Sequence, residues 1–374
     1  MELENYLKSL KIGNIKICRL TDLSKVSGYA IHSIDLSNSL NKLGISDFVF
    51  SFGRYPTIKK AERFVQLDKD KVKIIDKIQK YHKIENFDLV HSHLINLDAD
   101  IYHYIMDTLN VPIIVSLHFI ISDVLSKYLE NIIDKTDFFI AVSDSVKESA
   151  VKVGIPKNKI KVISTGVDLR IFDPSKYSIK ECKTKFRLSN KPVITYVGSI
   201  QKEKGIEILI HAVSKLVSQF DCILNLCGSG QFEDDAKNIC KKLNMTKNTF
   251  FWNLSRESIP EMLAASDIIV VPSLLPEALG KITLEAMAMK KPIIASRTRG
   301  YEELINNGIN GILVKPNDID GLSESLKILL EDKDKRNKIS ERARVDIKNS
   351  KHRFDYVVKN ILELYLQILS TRCG

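Results

Sequence analysis

Short apolar runs alternate along the chain with stretches in which apolar residues recur every three or four positions. The runs Asn14–Leu20, Asp47–Phe52, Asp88–His93, Pro112–His118, Phe138–Ser143 and Lys161–Ser164 read as strands. A second series follows at Pro192–Gly198, Ile223–Cys227, Thr249–Asn253, Asp267–Pro272, Pro292–Ala295 and Gly311–Val314. Helical periodicity fills the gaps, as in Ala30–Leu43, Gly205–Leu216 and Asp234–Leu243. Strands that alternate with helices predict α/β domains with parallel sheets covered on both faces. The stretch Asp168–Lys191 contains Pro174 and has no clean period, so it reads as a linker between two doubly wound domains, residues 1–185 and 186–352. The last helix, Phe354–Leu369, carries an apolar stripe with no strand after it, so it must dock on something already built.

Composition narrows the class. At 374 residues, 44% hydrophobic and 27% charged, the chain is too long for one ordinary domain and has the make-up of a globular protein. Disorder, collagen and coiled coil are excluded. No apolar run approaches the 18 residues of a spanning helix, and MELENYLKSLKIG has no apolar core of a secretory signal. The expectation is a soluble, cytoplasmic protein. Six scattered cysteines without a C-x-x-C pair suit a reducing compartment and give no zinc site.

The net charge of +10 splits evenly between the halves, but the window Arg54–Lys83 holds ten bases and four acids. It reads first as a Lys-rich solvated surface. The sharper reading is a patch for an anionic membrane surface, where each base is worth about 1 kcal/mol. No nucleic-acid recognition motif is present, so nucleic acid is not an expected partner.

Candidate chemistry lies in loops just after strands, where this architecture binds ligands. After Asp267–Pro272 comes Ser273-Leu-Leu-Pro-Glu277-Ala-Leu-Gly280-Lys281-Ile-Thr-Leu-Glu285, with Gly280 opening a helix. First-turn amides at Gly280, Lys281 and Ile282, together with the helix dipole, make a phosphate seat. Glu285, one turn deeper, could accept two hydrogen bonds from a ribose diol, and Glu277 could reach a hydroxyl beyond the phosphates. Upstream, Ile194–Gly198 runs into Ser199-Ile-Gln-Lys-Glu-Lys204-Gly205, whose Lys204 could neutralise a diphosphate.

Rival signals are weaker. Asp-x-Asp occurs at Asp68/Asp70, Asp98/Asp100, Asp318/Asp320 and Asp332/Asp334, as chance allows in an Asp-rich chain. Gly228-Ser-Gly230 lacks the third glycine of a dinucleotide fingerprint, and there is no phosphate-loop motif for an ATPase. His91-x-His93 has no third ligand in view.

Taken in order, the motifs form a set: Asp88-Leu-Val-His91-Ser-His93, the strand ending at His118, Ile140-Ala-Val-Ser143, Gly166-Val-Asp168 with Phe172, Val197-Gly198 with Lys204-Gly205, Gly228-Ser-Gly230, and Glu277-x7-Glu285 before Ala286-Met-Ala. The sequence resembles the retaining nucleotide-sugar glycosyltransferases of family 4 over nearly its whole length. The resemblance implies the GT-B fold, two doubly wound parallel-sheet Rossmann-like domains facing a central cleft. It also implies a closing helix, residues 353–370, that crosses back to the first domain.

As catalytic residues it implies Glu277 at the donor sugar and His118 near the reacting carbon. For donor binding it implies Gly28, Ser199, Lys204, Leu279, Gly280, Lys281, Ile282 and Glu285. Four positions depart from the family pattern. Ser199 stands where an arginine is common, Ser27 replaces the first of two glycines, and Lys290 and Asn253 stand where glycine is common. The implied reaction is hexosyl transfer from a UDP- or GDP-sugar to a glycan or lipid-linked acceptor, without a metal or other cofactor. It proceeds by front-face attack, with the leaving phosphate taking the acceptor proton. The alternative is a catalytically degenerate relative serving as a binding or partner subunit.

Overall fold

The structure, a computed structural model, describes residues 15–24, 27–53, 63–68, 70–94, 99–188 and 190–372. The chain divides into two compact units, Met1–Thr165 with Asp355–Gly374, and Gly166–Phe354.

The first unit runs β1 (Lys16–Thr21), α1 (Gly28–Lys42), β2 (Ser46–Ser51), β3 (Arg63–Gln66), α2 (Lys71–Glu85), β4 (Leu89–Ser92) and α3 (Ala99–Leu109). It continues through β5 (Ile113–Leu117), α4 (Asp123–Glu130), β6 (Phe138–Ala141), α5 (Asp144–Lys152) and β7 (Ile160–Val162). Among the described residues its sheet has the order β3-β2-β1-β4-β5-β6-β7, and every pairing is parallel. Leu20 of β1 lies between Phe50 and Ser92, and five of the six residues of β1 are buried. Burial on both faces is why these strands read as unbroken apolar runs. Helices start where Ser or Asp precedes the periodic stretch. The Ser27 side chain accepts from the Ala30 amide at 3.2 Å and the Ser143 side chain from Val146 at 3.3 Å.

The second unit carries α6 (Ile179–Lys185), β8 (Val193–Val197), α7 (Ile206–Ser214), α8 (Val217–Phe220), β9 (Ile223–Cys227), α9 (Glu233–Lys242), β10 (Thr249–Trp252) and α10 (Ile259–Ala265). Then come β11 (Ile268–Val271), α11 (Lys281–Ala288), β12 (Ile293–Ser296), α12 (Arg299–Glu302), β13 (Ile312–Val314), α13 (Ile319–Glu331) and α14 (Lys333–Lys348). Its sheet is parallel in the order β10-β9-β8-β11-β12-β13. One apolar layer, including Leu209, Val213, Leu322 and Leu326, covers one face. Another, including Met262, Leu263, Leu284 and Ile347, covers the other. Each such side chain contributes about 2 kcal/mol by leaving water. The final helix α15 (Phe354–Arg372) belongs to the first unit from Asp355 onward.

Each run read as a strand overlaps one, and the structure adds β3. The stretch expected to be a linker is part of the second unit, and the boundary falls at Thr165/Gly166 instead of 185/186. Phe172, Cys182 and Phe186 enter the second unit's core, and the buried Arg344 donates to the Phe172 carbonyl at 2.9 Å. Those anchors are irregularly spaced, so no period betrays them.

Lys290 adopts φ +56°, the left-handed conformation usually left to glycine. The Lys290 and Lys291 amides close α11 on the Met287 and Ala286 carbonyls at 3.0 and 2.9 Å, the hydrogen-bond pattern of a Schellman turn. The backbone form is retained without the glycine.

Candidate active site

In the second unit the strand order reverses between β8 and β11, the switch point at whose carboxyl-end loops this architecture binds ligands. The loop after β8 carries Ser199, which is exposed, and Lys204, the last residue of a 3₁₀ turn. The loop after β11 carries Ser273, Glu277, buried Leu279 and Gly280. A backbone bond from Leu274 N–H to the Glu203 carbonyl, 2.8 Å, ties the two loops together.

Across that tie the Lys204 ammonium donates to Glu277 Oε1. The Ser273 hydroxyl donates to the same oxygen at 2.9 Å. Both charged side chains remain partly exposed, 29% and 22%. A cation and a carboxylate are thus presented side by side where a ligand can reach them. Behind them the buried Tyr301 hydroxyl is held well above its ordinary pKa, by burial first and then by Glu277, so it stays neutral.

Gly280 precedes α11 with φ +74° and offers no side-chain cap. A Cβ there would meet the Tyr301 ring at 2.5 Å. The first-turn amides at Lys281 and Ile282 therefore stand outside the helix ladder with no capping side chain from Gly280. Lys281 Nζ lies 3.5 Å from the Gly166 carbonyl. One turn deeper, Glu285 is 2% exposed and meets Arg256 in a two-pronged ion pair, with Arg256 NH1 2.9 Å from Oε2 and NH2 on Oε1. The guanidinium stacks over Phe172 at 4.9 Å. Each carboxylate oxygen keeps a second lone pair, so Glu285 can still accept a hydroxyl.

In the first unit the reversal lies between β1 and β4. Gly28 is the first residue of α1, with Ser27 as its cap. His118 follows β5, is 7% exposed and stacks on His93, ring centroids 5.1 Å apart. Arg19, on β1 and fully buried, binds Asp47 through Nε at 3.0 Å to both oxygens.

Arg256 and Arg19 were not visible as site residues in the sequence. Of the 56 basic residues 13 are arginine, and Arg19 interrupts an apolar strand, which is a sign of a buried partner. The Asp-x-Asp pairs have a local explanation: Asp70, Asp318 and Asp332 cap α2, α13 and α14. Asp98 lies outside the described residues, as do residues 54–62 of the basic window.

The family described as "Glycosyltransferase Family 4" matches residues 26–171, and "Glycosyl transferases group 1" matches residues 179–346. The two matches take the two halves of the chain in turn, and the protein is a glycosyltransferase of the family 4 type. An uncharacterized glycosyltransferase of Methanocaldococcus jannaschii is 31% identical over 233 residues, 60% of this chain and 59% of that protein. The crystal structure of a glycosyltransferase from Rickettsia africae has 26% identity and a TM-score of 0.82, covering 95% of this chain and 99% of that one. Anabaena HepE, solved with UDP-glucose, has 20% identity and a TM-score of 0.83, covering 94% and 100%. The fold of this glycosyltransferase is GT-B, and the protein is an enzyme of glycoconjugate biosynthesis.

Proposed function

We propose that this glycosyltransferase moves a hexose-type sugar from a UDP- or GDP-sugar to a glycan or lipid-linked acceptor, with retention of configuration. The observation that carries the reading is the Lys204–Glu277 pair, which joins the loop after β8 to the loop that leads into α11. Breaking the sugar–phosphate bond leaves negative charge on the diphosphate, and fixed cations and amides aimed at that charge lower the barrier. In this reading Lys204 and the amides of Leu279, Gly280, Lys281 and Ile282 hold the diphosphate, and Ser199 and Gly28 line it with backbone. Glu285 takes the ribose diol. Glu277 takes the sugar, and His118 a sugar hydroxyl near the reacting carbon. The leaving phosphate oxygen accepts the acceptor proton as the new glycosidic bond forms on the same face. The positive charge in this scheme comes from the chain itself, and no cofactor is assigned a step.

UDP is the first nucleotide to try, because HepE carries UDP-glucose. Thermal unfolding with UDP, GDP, ADP and CMP, alone and as sugar nucleotides, tests the reading. A nucleotide at a hundredfold over its Kd adds about 2.7 kcal/mol. One base is expected to stabilise the native chain and to lose its effect in Lys204→Ala. No shift with any nucleotide would overturn the donor assignment and favour a partner subunit without turnover.

The acceptor side suggests a location. Helix α2 exposes Lys73, Lys77, Lys80 and Lys83 together with Val72 and Ile84, 64% and 68% exposed. Among the described residues no helix is long and apolar enough to cross a membrane. We place the protein in the cytoplasm, with α2 and the window Arg54–Lys83 meeting an anionic membrane surface peripherally. Lys77→Ala and Lys80→Ala should each weaken co-sedimentation with anionic vesicles about fivefold, at about 1 kcal/mol per base. Equal binding to neutral and anionic vesicles would count against this placement.

A further inference from the structure

Four histidines of the first unit gather beside a permanent cation. Arg19 NH1 lies 2.7 Å from His93 Nε2 and 3.0 Å from His91 Nδ1. His93 Nδ1 lies 2.8 Å from His118 Nε2, and His91 Nε2 lies 2.8 Å from the Ser116 hydroxyl. The Tyr365 hydroxyl of α15 lies 2.5 Å from His91 Nδ1. From α1, His32 Nδ1 meets the Thr165 carbonyl at 3.0 Å, and the His32 and Tyr29 rings lie 5.7 and 5.8 Å from the His118 ring.

A guanidinium has donors only and keeps its charge. Each ring nitrogen that faces Arg19 must therefore accept. His93 Nε2 accepts, so the proton of neutral His93 sits on Nδ1 and points at His118. His118 Nε2 must then accept in turn, which puts the His118 proton on Nδ1. The same logic puts the His91 proton on Nε2, toward Ser116. Protonating His118 on Nε2 as well would leave His93 with acceptor positions on both sides and no proton to place. Burial first, and then the neighbouring cation and imidazoles, depress proton uptake by His91 and His93, in keeping with neutral rings.

We infer that Arg19 and His93 are positioning residues that hold His118 as its Nδ1–H tautomer, a hydrogen-bond donor to substrate that cannot take a proton at Nε2. The chain assigns His118 a donating role and removes it from the candidates for general base. Only its target, a sugar oxygen of the donor, rests on the proposed function; the tautomer does not. The arrangement also answers the His91-x-His93 metal reading. Ring nitrogens that would face a cation already face a guanidinium.

Long-range proton–nitrogen correlation spectra of the full-length ¹⁵N-labelled protein, without nucleotide, read the tautomer directly. The His118 signals are identified by their loss in His118→Asn. The expected spectrum shows a protonated Nδ1 and a lone-pair Nε2 for His118. An Nε2–H form, or a doubly protonated ring at neutral pH, would overturn the inference, and neither result depends on donor binding. Two variants then separate positioning from packing. His93→Asn keeps an amide N–H near the Nδ1 position and should preserve the His118 tautomer. His93→Leu removes the donor and should release it, with kcat falling about tenfold while the nucleotide-induced stabilisation stays unchanged. The same tautomer in the native chain and His93→Leu would also overturn the assignment. Should His93→Leu not fold, the native spectrum decides alone.

Discussion

Lys204→Ala and Glu277→Gln are expected to separate two functions that a single ion pair hides. Lys204→Ala should lower kcat/KM by about a thousandfold and abolish the nucleotide-induced shift, because one preorganised charge partner of a developing anion is worth roughly 10²–10³ in rate. Glu277→Gln should lower kcat by about a hundredfold while binding nucleoside diphosphate as well as the native chain, or tighter. The reason lies in the pairing. Without ligand, the Lys204 ammonium is shared with Glu277, and the carboxylate is already supported by Ser273. A neutral amide at 277 frees the cation for the proposed diphosphate but gives up the charge proposed to face the sugar. Calorimetric titration with nucleoside diphosphate beside steady-state kinetics checks the split. Equal loss of nucleotide binding in both variants would mean that the pair only braces its loops.

The second large effect concerns stability. Arg19 and Asp47 are both fully buried, and Tyr365 Oη lies 3.2 Å from Arg19 NH2. Burial alone would make the guanidinium easier to deprotonate, but Asp47 and Tyr365 outweigh it and hold Arg19 charged. Arg19→Met should cost about 3–5 kcal/mol by leaving the Asp47 carboxylate buried without its cation. For a unit of this size that lowers Tm by on the order of 10 °C. Adding Asp47→Leu to the same chain should recover most of the loss, since removing both charges avoids the unpaired one. Thermal unfolding of the three proteins checks this, and Arg19→Met melting with the native chain would refute it.

What the sequence disclosed follows from how local each signal is. Strands buried on both faces write themselves as apolar runs, so β1, β5 and β9 were plain. Edge strand β3 buries only Val65 of its four residues and lies in a charged window, which hid it. Loop residues Lys204, Glu277 and Gly280 were legible because strand, turn and helix fall within a few positions. Arg256 was not, since it meets Glu285 across 29 positions, with a helix, a strand and a loop between them. Arg19 was passed over as well: a base inside an apolar strand signals a buried partner, but nothing local names Asp47 as that partner. Of the first unit's clustered histidines, His91-x-His93 and His118 were noted apart and His32 not at all. Their order along a hydrogen-bonded chain is a property of parallel register, which brings His91 beside Arg19 and Ile114.

Gly300, at the start of α12, sits so close to the loop after β11 that a Cβ would lie 2.1 Å from the Glu277 carbonyl oxygen. One residue on, Tyr301 is the ring that Gly280 must clear. The segment bearing Glu277 and the turn after β12 are therefore moulded against each other, backbone on backbone and glycine on tyrosine. Any attempt to retarget this enzyme by grafting a relative's 273–280 loop has to transplant residues 298–301 with it. In evolution, too, the two segments should drift as a linked pair, although a strand and a helix separate them in the chain.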